Sequence, residues 1–249
     1  MSHYRYRMAV RAAASACLAL VVSGGAAIAH AQDPGRQAHW GVAFGFAPAW
    51  KASNTFKVVF DAKALDVTGS DVTVGAAHGS DLGGGIEILY IRKTLKDGST
   101  VDRGSGLNCF GTSCVPVGTT LVSRTVVLQG LEVDKFVAFA TIKRRVQIGL
   151  TAGGGIASVK GQADKISNGV SPVYDSRGAL VGLAPRQETT SVEGRELFLG
   201  KIDVVPLGRV ELTVAGIVAP GLKVKASGGF NFPGYVKLGI DIVYLISRH

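Results

Sequence analysis

Hydrophobic and polar positions alternate one by one along much of this chain. The segment GYVKLGIDIVYLI, residues 234–246, places Val236, Leu238, Ile240 and Ile242 on one parity and Lys237, Gly239 and Asp241 on the other. Successive side chains of a β-strand point to opposite faces. Such a strand has one aliphatic face and one face of glycine and opposite charges. The same alternation predicts strands near residues 38–48, 67–78, 83–94, 122–137, 144–159, 193–205, 209–220 and 234–246. Most of them reach the length that crosses a bilayer when tilted.

The connections add topology to this pattern. Short ones (HGSDLG, FATIKRR, VPLGR) alternate with long ones at residues 49–66, 95–121, 160–192 and 221–233. Tight turns on one side and long loops on the other are the pattern of an outer-membrane barrel. The expected fold is all-β: a closed antiparallel up-and-down transmembrane β-barrel of eight strands, with ten strands as the alternative. That alternative rests on residues 54–67, NTFKVVFDAKALDV, which read either as an additional strand or as an outer loop. Eight strands bring both termini to the periplasmic side.

An aliphatic face alone does not specify a membrane, since a soluble barrel would turn the same residues inward. The opposite parity decides. It offers Gly41, Ala43, Gly45, Gly75, Gly149, Thr151, Gly153, Thr213, Ala215 and Gly239, and small residues suit the cramped interior of an eight-stranded barrel. The inward set also includes the acids Glu87, Glu132, Asp134, Asp203, Glu211 and Asp241 and the bases Arg145, Lys201, Arg209 and Lys237. These predict an ion-paired charge plug in the periplasmic half, because a charge left unpaired in a dry interior is very costly. Above it, a small vestibule is expected under the outer loops. Two aromatic belts are expected at the membrane interfaces: Trp40, Phe136, Phe139 and Tyr244 at the periplasmic side, and Trp50, Phe232 and Tyr235 at the outer side.

Composition narrows the class further. The chain has 249 residues, of which 34 are glycine and only 18% are charged, which fits many turns and closely packed backbones. Residues 1–31 carry Arg5, Arg7 and Arg11, then a short apolar run, then Ala29-His30-Ala31. That is the pattern of a secretory signal peptide. The expected organisation is a signal peptide over 1–31 and an outer-membrane barrel over 32–249. Removal of the leader lowers the formal charge from +9 to +6. The remaining excess is dispersed, without the basic runs and interleaved aromatics of a nucleic-acid binder. In an oxidising compartment Cys109 and Cys114, in LNCFGTSC, predict a disulfide closing a small loop. No histidine stands near them to complete a zinc site.

Enzyme signatures are weak. TAGGGIASVKG lacks the Gly-Lys-Ser/Thr ending of a phosphate loop and lies on a predicted strand. The histidines after the leader, His39, His78 and His249, fall near predicted periplasmic ends, away from any outer-rim serine that would need a base. No cofactor or metal is implied, and no catalysis is expected.

The leader, WGVAFGFAPAW, LGGGIEILYIRK, LEVDKFVAFATIKRRVQIGLTAGGGI and GYVKLGIDIVYL together resemble the small outer-membrane β-barrel proteins of Gram-negative type, in the manner of outer-membrane proteins W and X and the opacity proteins. The phrases around KFVAFATIKRRVQIG also look like those of an uncharacterised barrel family. The resemblance implies export to the outer membrane, with lipids including lipopolysaccharide and the barrel-assembly machinery as partners and a small-molecule ligand as a further candidate. It implies a structural, surface-binding or small-solute role; a narrow channel for small or apolar solutes and an outer-rim lipid-modifying enzyme stand as alternatives. Members commonly end on an aromatic residue, whereas here Tyr244 is followed by Leu-Ile-Ser-Arg-His.

Overall fold

The fold comes from a computed structural model that describes residues 38–52, 57, 62–80, 84–111, 113–198 and 203–246. The proposed leader, 1–31, lies outside the described residues. Among the described residues thirteen strands follow one another. They are β1 (His39–Ala52), β2 (Ala64–Asp66), β3 (Thr68–Gly79), β4 (Gly85–Leu95), β5 (Thr100–Phe110), β6 (Ser113–Ser123) and β7 (Val127–Ile142). Then come β8 (Val146–Lys160), β9 (Gln162–Tyr174), β10 (Leu180–Glu193), β11 (Val204–Ala219), β12 (Leu222–Phe232) and β13 (Tyr235–Leu245).

Eight of them close an antiparallel barrel in the order β1-β13-β12-β11-β8-β7-β4-β3, and the other five form a separate sheet in the order β10-β9-β6-β5-β2. Closure comes from β1, which pairs with both neighbours: Gly45 faces Asp241 on β13 and Thr73 on β3. At the end of the barrel where β1 begins and β13 ends the connections are tight. Lys143 and Arg144 turn β7 into β8 with φ of 48° and 54°, and Gly221, with φ of 78°, turns β11 into β12. The second sheet grows from the opposite end, where β4 leads into β5, β6 into β7, and β8 into β9.

Eight barrel strands are present, but their placement corrects the expectation in the C-terminal half. The described part of 193–205 is not one barrel strand: Glu193 ends β10, Gly194–Leu197 make one turn of 3-10 helix, and Val204 and Val205 open β11, which is the sixth barrel strand. The segment VPLGR, read as a turn, runs through the body of β11. Residues 221–233, read as an outer loop, contain barrel strand β12. The reason is compositional: LKVKASGGFNF alternates as strictly as its neighbours, but its inward positions are lysine, serine, glycine and asparagine, which resemble loop composition. The last hairpin therefore turns at the end of the barrel that carries the second sheet, through Pro233 and Gly234, rather than through a long loop. The long connections 95–121 and 160–192 are likewise ordered as β5, β6, β9 and β10. Of residues 54–67, the described part contributes only β2 and pairs with β5, outside the barrel.

Candidate functional site

On β13 the exposure alternates at every residue from Tyr235 to Leu245. Leu238 is 73% exposed and Ile240 55%, whereas Lys237 and Asp241 are 4% and 6% exposed. The aliphatic face is the outside. Around the barrel Val42, Phe44, Val74, Ile88, Leu131, Leu150, Leu212 and Phe230 continue this outer apolar surface. Arg92 and Lys135 share it, with stems long enough to carry their charges toward a polar boundary.

Among the described residues the lumen holds six buried carboxylates (Asp71, Glu87, Glu132, Asp134, Glu211, Asp241) and five buried cations (Lys93, Arg209, Lys223, Lys225, Lys237). Arg209 on β11 organises the centre. Its Nη1 donates to Asp134 on β7 at 2.7 Å, its Nε to Glu211 at 2.7 Å, and its Nη2 to Asp241 on β13 at 3.0 Å and to the Ser227 hydroxyl on β12 at 3.4 Å. Only a planar guanidinium presents donors in so many fixed directions. A second cluster surrounds Asp71 on β3, which accepts from Lys93 on β4 at 2.8 Å and lies 3.5 Å from Lys237. Lys237 also approaches Glu211 at 3.8 Å, and the Asn231 side-chain amide donates to Glu211 at 2.7 Å. Glu132 lies in the field of Lys93, Arg209 and Lys237. Toward the tight-turn end, Lys225 pairs with Glu87, and Lys223 donates to the Ser80 carbonyl.

Small residues make room for these groups. A Cβ on Gly153 would sit 1.8 Å from Asp134 Oδ1, and one on Gly45 would sit 2.0 Å from Asp241 Oδ1 and 2.3 Å from the Thr73 hydroxyl. Strands β1 and β8 thus supply the space, and β3, β4, β7, β11, β12 and β13 supply the charges.

Of the charged residues expected inside, Glu87, Glu132, Asp134, Arg209, Glu211, Lys237 and Asp241 are brought together in the lumen. Two are not. Arg145 is exposed in the β7–β8 turn, and Asp203 lies outside the barrel, where it accepts from Arg195 at 2.5 Å; that hydrogen bond holds the Arg195 guanidinium above its ordinary range. Lys201 lies outside the described residues. Sequence reasoning missed Asp71, Lys93, Lys223 and Lys225. Lys223 and Lys225 stand in the segment mistaken for a loop. Strand β4 hides Lys93 because its inward positions also include Leu89 and Ile91, so neither of its faces reads as purely polar.

The aromatic belts also need correction. Trp40, Phe139 and Tyr244 are exposed on the outer surface, and Phe232 is half-buried. Trp50, Phe136 and Tyr235 point inward and are buried. Trp50 packs on Tyr235 with ring centroids 4.7 Å apart, while Lys93 lies over the Tyr235 ring and Lys225 over that of Phe136. These three cap the two ends of the charged layer, where a flat ring covers more lumen than an aliphatic chain does.

The expected vestibule is replaced by packing. Above the charges, Trp50, Val67, Leu95, Leu128, Phe198 and Tyr235 surround a cavity of about 10 Å³. A second, of about 20 Å³, lies between His78, Glu87, Phe136 and Lys225. Each has space for about one water. The apolar cap continues into the second sheet through Val101, Leu121, Val126, Ala163 and Leu197. Farther along that sheet, Cys109 and Cys114 form a disulfide facing each other across the β5–β6 hairpin.

No protein-family model matches the chain. No curated protein matches it in sequence. Among solved structures, the β domain of the Bordetella autotransporter BrkA aligns over 84% of this chain and 99% of that one, at 13% identity and a TM-score of 0.30. A likeness at that score carries no argument, and the barrel stands on its own strand pairing.

Proposed function

We propose that this chain is a closed outer-membrane anchor that holds a five-stranded sheet on the outer side of the membrane for surface contact. The observation that carries the reading is the sidedness of the barrel, oily outside and charged inside. Lysine or arginine moved to the lipid side at mid-bilayer would cost roughly 2–4 kcal/mol, which supports membrane insertion with the charges enclosed. The filled lumen supports a structural and binding role over a diffusion path, since eight-stranded barrels have interiors just wide enough for side chains. The likeness to outer-membrane proteins W and X and the opacity proteins belongs to this reading, as do export by the N-terminal leader and insertion by the barrel-assembly machinery. The second sheet, mixed in charge and with exposed threonines, would meet lipopolysaccharide or another surface partner. No catalytic step is part of this reading.

The test has two parts. The folded chain in detergent should change its gel mobility on boiling, and in planar bilayers it should give no steady unitary conductance. Extraction as a soluble periplasmic protein with no mobility change would remove the membrane reading. A reproducible single-channel step would remove the closed lumen and favour the narrow channel.

A further inference from the structure

The five-stranded sheet ends in β10, a strand of 14 residues that pairs with β9 on one side and has no strand on the other among the described residues. Its segment Pro185–Ser191 is exposed throughout. A free edge is a row of unpaired N–H and C=O groups, and natural edges are usually blunted by charge or by proline. Here Pro185 is present, as edge positions allow. The charges do not form a single-sign guard: Arg186 is followed two residues later by Glu188 on the same face, 3.9 Å away, with side chains 66% and 63% exposed.

That spacing has a geometrical consequence. If two β10 edges meet antiparallel about a two-fold axis at Gln187, Arg186 lies directly opposite Glu188 of the second copy, and Glu188 opposite its Arg186. Both pairs have opposite charge, and directly opposed side chains share a face. Thr189, Thr190 and Ser191 then extend the ladder outward, opposite Pro185, Ala184 and Leu183, with threonine favoured in strands. An interface of this kind is self-complementary, as a two-fold requires. We infer that β10 is a homotypic docking edge, and that its occupant is β10 of a second copy of this chain in the register centred on Gln187. This goes beyond the proposed anchoring role and does not depend on it, because it rests on β10 alone.

The experiment uses the full chain, folded in detergent. Gln187→Cys should give a disulfide-linked homodimer under mild oxidation, whereas Asn168→Cys, opposite Gln187 on the inner strand β9, should not. Dimerisation followed by sedimentation should weaken roughly tenfold in Arg186→Glu, because the symmetry turns two attractive pairs into two repulsive ones. Glu188→Arg should do the same, and the double variant Arg186→Glu/Glu188→Arg should restore dimerisation. Gel mobility before boiling shows that each variant is folded. A chain that stays monomeric at every concentration, or a dimer that ignores the single reversals and does not cross-link at 187, would overturn the proposal.

Discussion

The barrel and the second sheet are built from the same alternating sequence, yet they invert each other. In the middle of the barrel the buried side is mostly charged or small, with large apolar groups such as Trp50, Phe136 and Tyr235 toward its ends, and the exposed side is mostly aliphatic. At the base of the second sheet the buried positions are Val101, Leu121 and Ala163, each at most 1% exposed, while β10 turns Thr189, Thr190 and Ser191 outward. Alternation therefore fixes that a segment is a strand, and the solvent on its two sides fixes which parity points where. On the proposed membrane reading, hydrocarbon outside the barrel rewards leucine on the surface, and water around the second sheet rewards threonine there.

The strongest way to break this contrast is at the centre of the lumen. Arg209→Ala leaves Asp134, Glu211 and Asp241 without their shared donor, and loss of one partner from a buried ion cluster costs about 3–5 kcal/mol. Denaturant unfolding of the refolded barrel should show that loss or a failure to fold. Next is the outer surface: Ile240→Arg should destabilise the barrel in lipid by roughly 2–4 kcal/mol, while Thr190→Arg, exposed on the second sheet, should stay within about 0.5 kcal/mol. Equal effects at the two sites would erase the distinction between the surfaces.

A smaller effect is expected at Gly153. Alanine there pushes into Asp134 Oδ1 and lies 2.6 Å from the Val133 carbonyl, so overpacking should cost about 1–3 kcal/mol. The smallest belongs to the hairpin of the second sheet. Replacing Cys109 and Cys114 with serine should leave barrel unfolding within about 0.5 kcal/mol, while increasing protease cleavage near residue 111. A large change in barrel stability would mean that the two sheets unfold as one unit.

The first five barrel strands were legible because each keeps its parity over most of its length, although bulges interrupt β1 after Phe46 and β7 after Ala138. The sidedness of β13 was legible for the same reason, with Lys237 and Asp241 placed between aliphatic neighbours. The sixth and seventh strands were not. In β12 the lumen side chains Lys223, Lys225 and Asn231 look like those of a solvated loop, and local composition cannot report that Glu87, far away in sequence, awaits Lys225. The second sheet was read as loops because its tips, around Asn108–Gly111 and Asp175–Gly178, carry turn residues and few buried positions. Trp50, Phe136 and Tyr235 were assigned to belts on the general habit of aromatics at interfaces. Phe136 and Tyr235 share the inward parity of Asp134 and Lys237, the signal that could have corrected them, whereas Trp50 stands on the outward parity of Phe44 and Phe46 and is turned inward by the bulge that shifts the register of β1 after Phe46.

One consequence of the Asp71 and Arg209 clusters concerns assembly order. Asp71 and Lys93 belong to the early strands β3 and β4, while Lys237 and Asp241 arrive with the final strand. Until that final strand docks, Asp71 keeps Lys93 but lacks Lys237, and Arg209 keeps Asp134 and Glu211 but lacks Asp241. The ion clusters are therefore complete only when β13 has paired with both β1 and β12, so closing the circumference and filling the charge network are one event in the finished fold.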